Sequence, residues 1–205
     1  MRFEIKWAIF ILVGIALITK TVFFALGVQA SLLTPMPSKP AESAAYIQGL
    51  IQKEQVSPGR PVRLTIPTIK VDVALSYVGL KADGTIGTPE GPVGAAWFYP
   101  GTIPGRVGSA VIDGHYGWRD GIKAAFDDIS KLKKGDKIYV EDQKGLTSAF
   151  VVTSSRVYPE DEDTSDVFNS SDGIAHLNLI TCGGIWNKTT HLYSDRLVVF
   201  SDKEL

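Results

Sequence analysis

The stretch HLNLITCGG, residues 176–184, alternates in character. Leu177, Leu179 and Thr181 fall on one side of an extended chain, and Asn178, Ile180 and Cys182 on the other. A period of two marks a strand with two distinct faces, because successive side chains point to opposite sides. The run ends on Cys182, the one cysteine of the chain, and Gly183 and Gly184 follow at once. Those glycines read as the end of the strand, with open space beside the sulfur.

The same character recurs outward from this strand. From about Pro61, valine, isoleucine, threonine and aromatic residues cluster in short runs bounded by Gly, Pro, Asp and Ser. This pattern predicts strands at about 62–66, 71–78, 94–99, 108–114, 137–142, 148–158, 175–182 and 196–202. Helical spacing occurs in IKAAFDDI (122–129), where Ile122, Ala125, Phe126 and Ile129 share a face. DTSDVF (163–168) reads as one more helical turn. Eight short strands with little helix predict an all-β barrel or sandwich, in which closure or packing protects the strand edges.

The chain has 205 residues, 44% of them hydrophobic, enough for one packed domain and an extra segment. A formal net charge of −1 offers no basic face for a nucleic acid. One cysteine excludes an intrachain disulfide and any cysteine-rich zinc site.

The extra segment is N-terminal. From Trp7 to about Val28 the sequence is apolar apart from Lys20 and a few small or hydroxyl residues, about the 20 residues a membrane helix needs. Arg2 and Lys6 precede it, which places the N-terminus in the cytoplasm and the rest outside. The expectation is a single-pass cell-membrane anchor, a transmembrane helix over 1–31. A cleaved signal peptide is the competing reading, since Val28-Gln29-Ala30 resembles a cleavage site, yet its apolar core would exceed the usual ~7–15 residues. LLTPMPSKPAES (32–43) reads as a stiff linker, and AAYIQGLIQKEQ (44–55) as a short helix ahead of the domain. The expected organisation is therefore anchor 1–31, extracytoplasmic linker 32–59 and folded domain 60–205.

A lone thiol is either a small buried hydrophobe or a nucleophile, and a nucleophile needs a base within reach. Three histidines compete for that role. His115, in GSAVIDGHYGW, closes an apolar strand among glycines that leave its ring open to a cleft. His176 opens the cysteine's own strand, roughly 20 Å away along an extended chain, too far for proton transfer. His191 lies in the loop NKTTHLYSD and is the second choice. Acyl transfer from an amide also builds a negative oxygen, and a fixed donor aimed at it contributes a few kcal/mol. Arg196 starts the last strand, RLVVFSD, and consecutive strands are often neighbours. Arg106, Arg119 and Arg156 lack that placement. The plainer readings are a buried cysteine, a turn-capping histidine and a strand-end surface arginine.

These residues carry a resemblance. LITCGG is similar to the cysteine motif of the sortases, TLxTC. VIDGHYGW resembles their histidine motif, and DRLVVF their arginine strand. IPTIKVDVAL resembles the opening strand pair, and PEGPVGAAWFYPGTIPGRVGSAVIDGH the approach to the histidine. The likeness covers about 60–205, with Asn178 where the family has Thr. It implies an all-β, closed eight-stranded sortase-type β-barrel with one or two short helices, outside the N-terminal membrane helix. It carries the family's histidine onto His115, its cysteine onto Cys182 and its arginine onto Arg196. It further implies a cysteine transpeptidase that cleaves an LPxTG-like sorting signal at Thr–Gly through a thioacyl intermediate. The hydroxyl of Thr181 is expected to help hold the peptide. The acceptor is an amine, of a cell-wall precursor or a pilin lysine, and no cofactor or metal is required.

Two stretches have double readings. YPEDEDTSD (158–166) lies where sortases form a groove wall. Its close carboxylates suit calcium, and a solvated acidic loop with a helix start is the plainer reading. AAWFYPG (95–101) reads as buried aromatic core, with groove lining the alternative. The lack of an apolar C-terminal segment or a long N-terminal lid points to a non-pilus, class E/F-like enzyme, with residues 36–58 covering the groove in part. From other classes, the rivals are a non-catalytic membrane-tethered β-barrel acting as a binding module, and an L,D-transpeptidase. The latter resembles S-H-G-C, and Ile180 stands where its histidine belongs.

Overall fold

Alternating runs fold into eight strands: β1 (Pro61–Ile66), β2 (Val71–Val78), β3 (Ala95–Phe98), β4 (Gly108–Gly114), β5 (Lys137–Asp142), β6 (Thr147–Pro159), β7 (Ala175–Asn187) and β8 (Leu192–Lys203). The computed structural model describes residues 43–49, 57–159 and 161–204. The chain divides into two compact units, Met1–Lys53 and Glu54–Leu205. In the first, residues 43–49 are helical. The expected anchor, 1–31, lies outside the described residues. Among the described residues no helix is long and apolar enough to cross a membrane.

In the second unit the strands close into a barrel in the order β1-β2-β3-β4-β7-β8-β6-β5, with β5 returning to β1. Closure leaves no open edge. β2 and β3 run parallel, as do β4 and β7; the other pairs are antiparallel. Alternation fills the interior. Leu64, Ile66, Ile112, Ile138, Phe150, Leu177, Leu179 and Val199 are all fully buried, each worth about 1.5–3 kcal/mol of hydrophobic stabilisation. Trp97 joins this core and donates its indole N–H to Thr102 O at 3.0 Å, so Ala95–Trp97 of AAWFYPG supply core as expected, whereas Tyr99 is exposed.

A second cluster lies on the outer face. Val111, Ile180 and Val198 from β4, β7 and β8 pack with Tyr158 and with Val167 of a one-turn helix, Ser165–Phe168. That helix is the turn expected in DTSDVF. Asn178 Nδ2 donates to Val167 O at 2.6 Å and Tyr158 Oη to Asp166 at 2.6 Å. Arg156 pairs with Glu162 and Asp166. The acidic stretch is thus a loop with a helix start, and among the described residues no group of three potential ligands is placed to hold a metal.

Two expectations are corrected. Residues 122–128 form no helix, and only Ile129–Lys131 winds into a single 3-10 turn. Ala125 N donates to Pro92 O at 2.8 Å and Phe126 N to His115 O at 3.1 Å. These long-range partners displace the helical ladder. The apolar face is only partly used: Phe126 and Ile129 are fully buried while Ile122 is exposed. Nor do Gly183 and Gly184 end β7. The register shifts after Gly183 and resumes at Trp186↔Tyr193 and Asn187↔Leu192. Gly184 has φ +77°, and a Cβ there would collide with the Ser194 hydroxyl and the Asp195 carboxylate. The glycines form a bulge in a long hairpin.

Candidate active site

The parallel register of β4 and β7 aligns Ile112 with Leu179 and Asp113 with Ile180. Two residues further on, just past the end of β4, His115 comes alongside Cys182 within β7. On the other side of β7, Cys182 is paired directly with Arg196 of β8. Neighbouring strands lie about 4.8 Å apart. The three residues picked from sequence therefore stand abreast on three adjacent chains at one end of the barrel. His176 opens β7 at the opposite end. His191 sits in the hairpin turn with φ +56°, near Trp186.

Each candidate is held locally. Gly114 lies against the Phe126 ring, so closely that a Cβ would overlap it. Phe126 N–H fixes the His115 carbonyl. Asp127 accepts from Gly117 N at 2.7 Å and Ala124 N at 2.9 Å, pinning the turn after His115. The His115 ring stacks obliquely on Trp118, and its Nε2 is 3.0 Å from Pro89 O. A carbonyl only accepts, so Nε2 carries the hydrogen, and a neutral ring leaves Nδ1 as a free base. Arg196 Nη1 donates to Asp195 O at 2.9 Å and Tyr193 O at 3.2 Å. This holds the guanidinium while leaving its other N–H groups available.

Thr181 departs from expectation. It is 1% exposed and donates to Gly114 O at 2.6 Å. Its place on the inner face of β7 turns the hydroxyl into the barrel, where it ties the cysteine strand to the histidine strand.

The chain matches the sortase domain family over residues 64–204. It belongs to the sortase family. The chain is similar to sortase C-1 of Streptococcus pneumoniae, at 27% identity over 70% of this chain and 66% of that one, with a TM-score of 0.54. Sortase C-1 of Actinomyces oris is 24% identical over 85% and 84%, with a TM-score of 0.54. A lid mutant of sortase A from Corynebacterium diphtheriae is 22% identical over 86% and 87%, also at 0.54. No curated protein matches the chain. By its family this sortase is a cysteine transpeptidase on a closed β-barrel.

Sequence reading missed Asp113, which it took only as part of the histidine motif. Asp113 shares the outer face with Val111, at the level of Ile180. Its carboxyl has no hydrogen-bond partner among the described residues. Burial pushes it up to about 7, against the pull of Arg196 and Lys81. Burial also pushes the Cys182 thiol up; Arg196 and Lys81 favour its thiolate and Asp113 opposes it. The available signal was a carboxylate at an outward position of an otherwise apolar run. Also missed was a cavity of about 200 Å³ at the barrel mouth, lined by Cys182, Gly183, Gly184, Tyr116, Asp127 and Asp195 among others.

Proposed function

We propose that this sortase cleaves an LPxTG-like sorting signal between Thr and Gly, with Cys182 as nucleophile, His115 as acid–base and Arg196 as oxyanion donor. The observation that carries this reading is the abreast placement of His115, just past β4, with Cys182 on β7 and Arg196 on β8. Burial favours a thiol at rest, so Cys182 Sγ passes its proton to His115 as it attacks the Thr carbonyl. The free N–H groups of Arg196 receive the developing oxyanion. His115 then protonates the departing glycine amine, leaving a thioacyl enzyme, which an amine of a cell-wall precursor or a pilin lysine resolves. Splitting one hard amide exchange into two steps is the gain of covalent catalysis. Thr181 acts as a positioning residue.

On the outer face beside this trio, Val111, Ile180 and Val198 form an apolar cluster packed under the loop that carries Ser165–Phe168. We further propose a cell-membrane anchor at 1–31, cytoplasmic at its N-terminus, a linker over 32–59 and an extracytoplasmic catalytic domain over 60–205; its support is the apolar run behind Arg2 and Lys6. A non-pilus, class E/F-like assignment is supported by the approach to β1. There Gly59 N and Ser57 O are fastened to Asp142 and Lys144, beside the β5–β6 turn and away from Cys182. The test is Cys182→Ala in the full chain. It should fold as the wild type does and lose all cleavage of an LPxTG-like peptide by mass spectrometry. Cleavage at the wild-type rate would overturn the assignment.

A further inference from the structure

We propose that Trp118 is a positioning residue of this sortase: its indole steadies the charge that His115 acquires on taking the Cys182 proton. The inference rests on the transpeptidase reading above and goes beyond it to what supports the acid–base.

An imidazolium needs a partner. Once Cys182 Sγ has passed its proton to Nδ1, both ring nitrogens of His115 carry hydrogen. Nε2–H already faces Pro89 O at 3.0 Å. That carbonyl is fixed in turn, because its connection is fastened by Gly87 N to Gly79 O and by Ala125 N to Pro92 O, each at 2.8 Å. Nδ1–H must stay available to the departing amine. A neutral carbonyl supplies a dipole and no counter-charge.

No carboxylate supplies it either. Among the described residues none bonds to a ring nitrogen of His115. Asp127, beyond the turn, is taken up by Gly117 N and Ala124 N. Asp113 stands two residues before His115, level with Ile180. Asp195 is paired with Gly183 on β8, across the cysteine strand. The cations near Cys182, Arg196 and Lys81, have the wrong sign.

The group that remains is Trp118. Its ring centroid lies 4.8 Å from that of His115, tilted by 59°. An aromatic face attracts a cation within ~6 Å of its centroid, and tryptophan does so best. Arg119 is the competing cation, at the longer distance of 5.9 Å. Local sequence builds the contact. Gly117 takes φ +63°, and its N–H to Asp127 at 2.7 Å holds the turn that folds Trp118 back onto the imidazole. Trp118 is half-buried and belongs to neither core cluster, so core packing does not account for it.

In the step itself, the proton leaves Sγ for Nδ1 as the S–C bond to the Thr carbonyl carbon forms. The C–N bond then breaks, and the same proton passes from Nδ1 to the glycine nitrogen, returning His115 to its neutral form. The indole favours the charged ring in between and exchanges no proton.

The test follows kcat and KM for an LPxTG-like peptide in the full chain. Trp118 is replaced site-specifically by tryptophans of increasing fluorine content, and by Phe and Leu. Fluorine drains the π face with little change of size. The expected result is a stepwise fall of kcat with fluorine content, KM within about twofold, about a tenfold loss of kcat in W118L and a smaller one in W118F. In a His115→Ala background W118L should lower kcat no further, because Trp118 acts through the histidine. Fluorinated chains at the wild-type kcat, or a W118L loss undiminished in the His115→Ala background, would overturn the assignment. A wild type that cleaves no peptide would instead overturn the transpeptidase reading, and the role of Trp118 with it.

Discussion

His176 and His115 stand at opposite ends of the β4–β7 pair and are held in opposite ways. His176 Nδ1 is 2.7 Å from Asp202, and its Nε2 is 3.0 Å from Asp172. Both nitrogens face carboxylates. Burial pulls its pKa down, but the bonds to Asp172 and Asp202 outweigh it and raise it. His115 has one carbonyl and one tilted indole. The carboxylates near its end, Asp113 and Asp195, have no hydrogen-bond partner among the described residues. One end of the barrel closes its polar groups on each other and fastens the β6–β7 connection. The other leaves nitrogen, sulfur, guanidinium and carboxylate open at one mouth, an arrangement that stability alone does not produce.

The largest expected break of this contrast is the histidine pair itself. His115→Ala should cut kcat/KM for a sorting peptide by about 10²–10⁴, whereas His176→Gln should stay within about threefold; equal losses would erase the distinction. Next is Arg196→Ala, expected to lower kcat about 10²–10³, the loss of a preorganised oxyanion donor. Rescue by Arg196→Lys should be partial, since one point charge replaces a planar fork.

Asp113→Asn sharpens the contrast at the reactive end. Removing its charge removes a contribution that raises the Cys182 thiol. Iodoacetamide alkylation of Cys182 should therefore speed up above about pH 7, where Asp113 is ionised, and match wild type well below it. The folded pKa of Asp113 is raised, so its ionisation opposes folding as pH climbs from about 4. The same substitution should accordingly raise the urea midpoint at pH 8 and not at pH 4.

The smallest effect is at the closed end. His176 has a raised pKa, so its contribution is full below about 6.5 and is lost as pH rises through the folded value. Asp172, pulled down to about 2 by the Ile174 N–H and by His176, stays ionised throughout that range. His176→Gln should lower the thermal midpoint by about 2–4 °C at pH 6 and by less at pH 9.

Most of the barrel was legible because period-two alternation leaves few ways to bury Leu177, Leu179, Ile112 and Ile138 together. The juxtaposition of His115, Cys182 and Arg196, the proposed catalytic trio, was legible because consecutive strands pair and strand ends expose chemistry. What escaped notice depends on partners distant in sequence. The helix expected at 122–129 fails because Pro92 and His115 carbonyls take its N–H groups. The β7–β8 hairpin outruns its apparent stop because Gly184 serves a bulge. Thr181 reads as a groove hydroxyl until the neighbouring strand supplies Gly114 O. Asp113 and Asp195 look like ordinary polar positions until the closed barrel sets them around one sulfur.

The most direct measurement is the intact mass of the full chain mixed with an LPxTG-like peptide and no amine. The account predicts an acyl adduct that maps to Cys182 by peptide digestion and is released by added amine. A folded chain that cleaves the peptide with no adduct on Cys182 would contradict it.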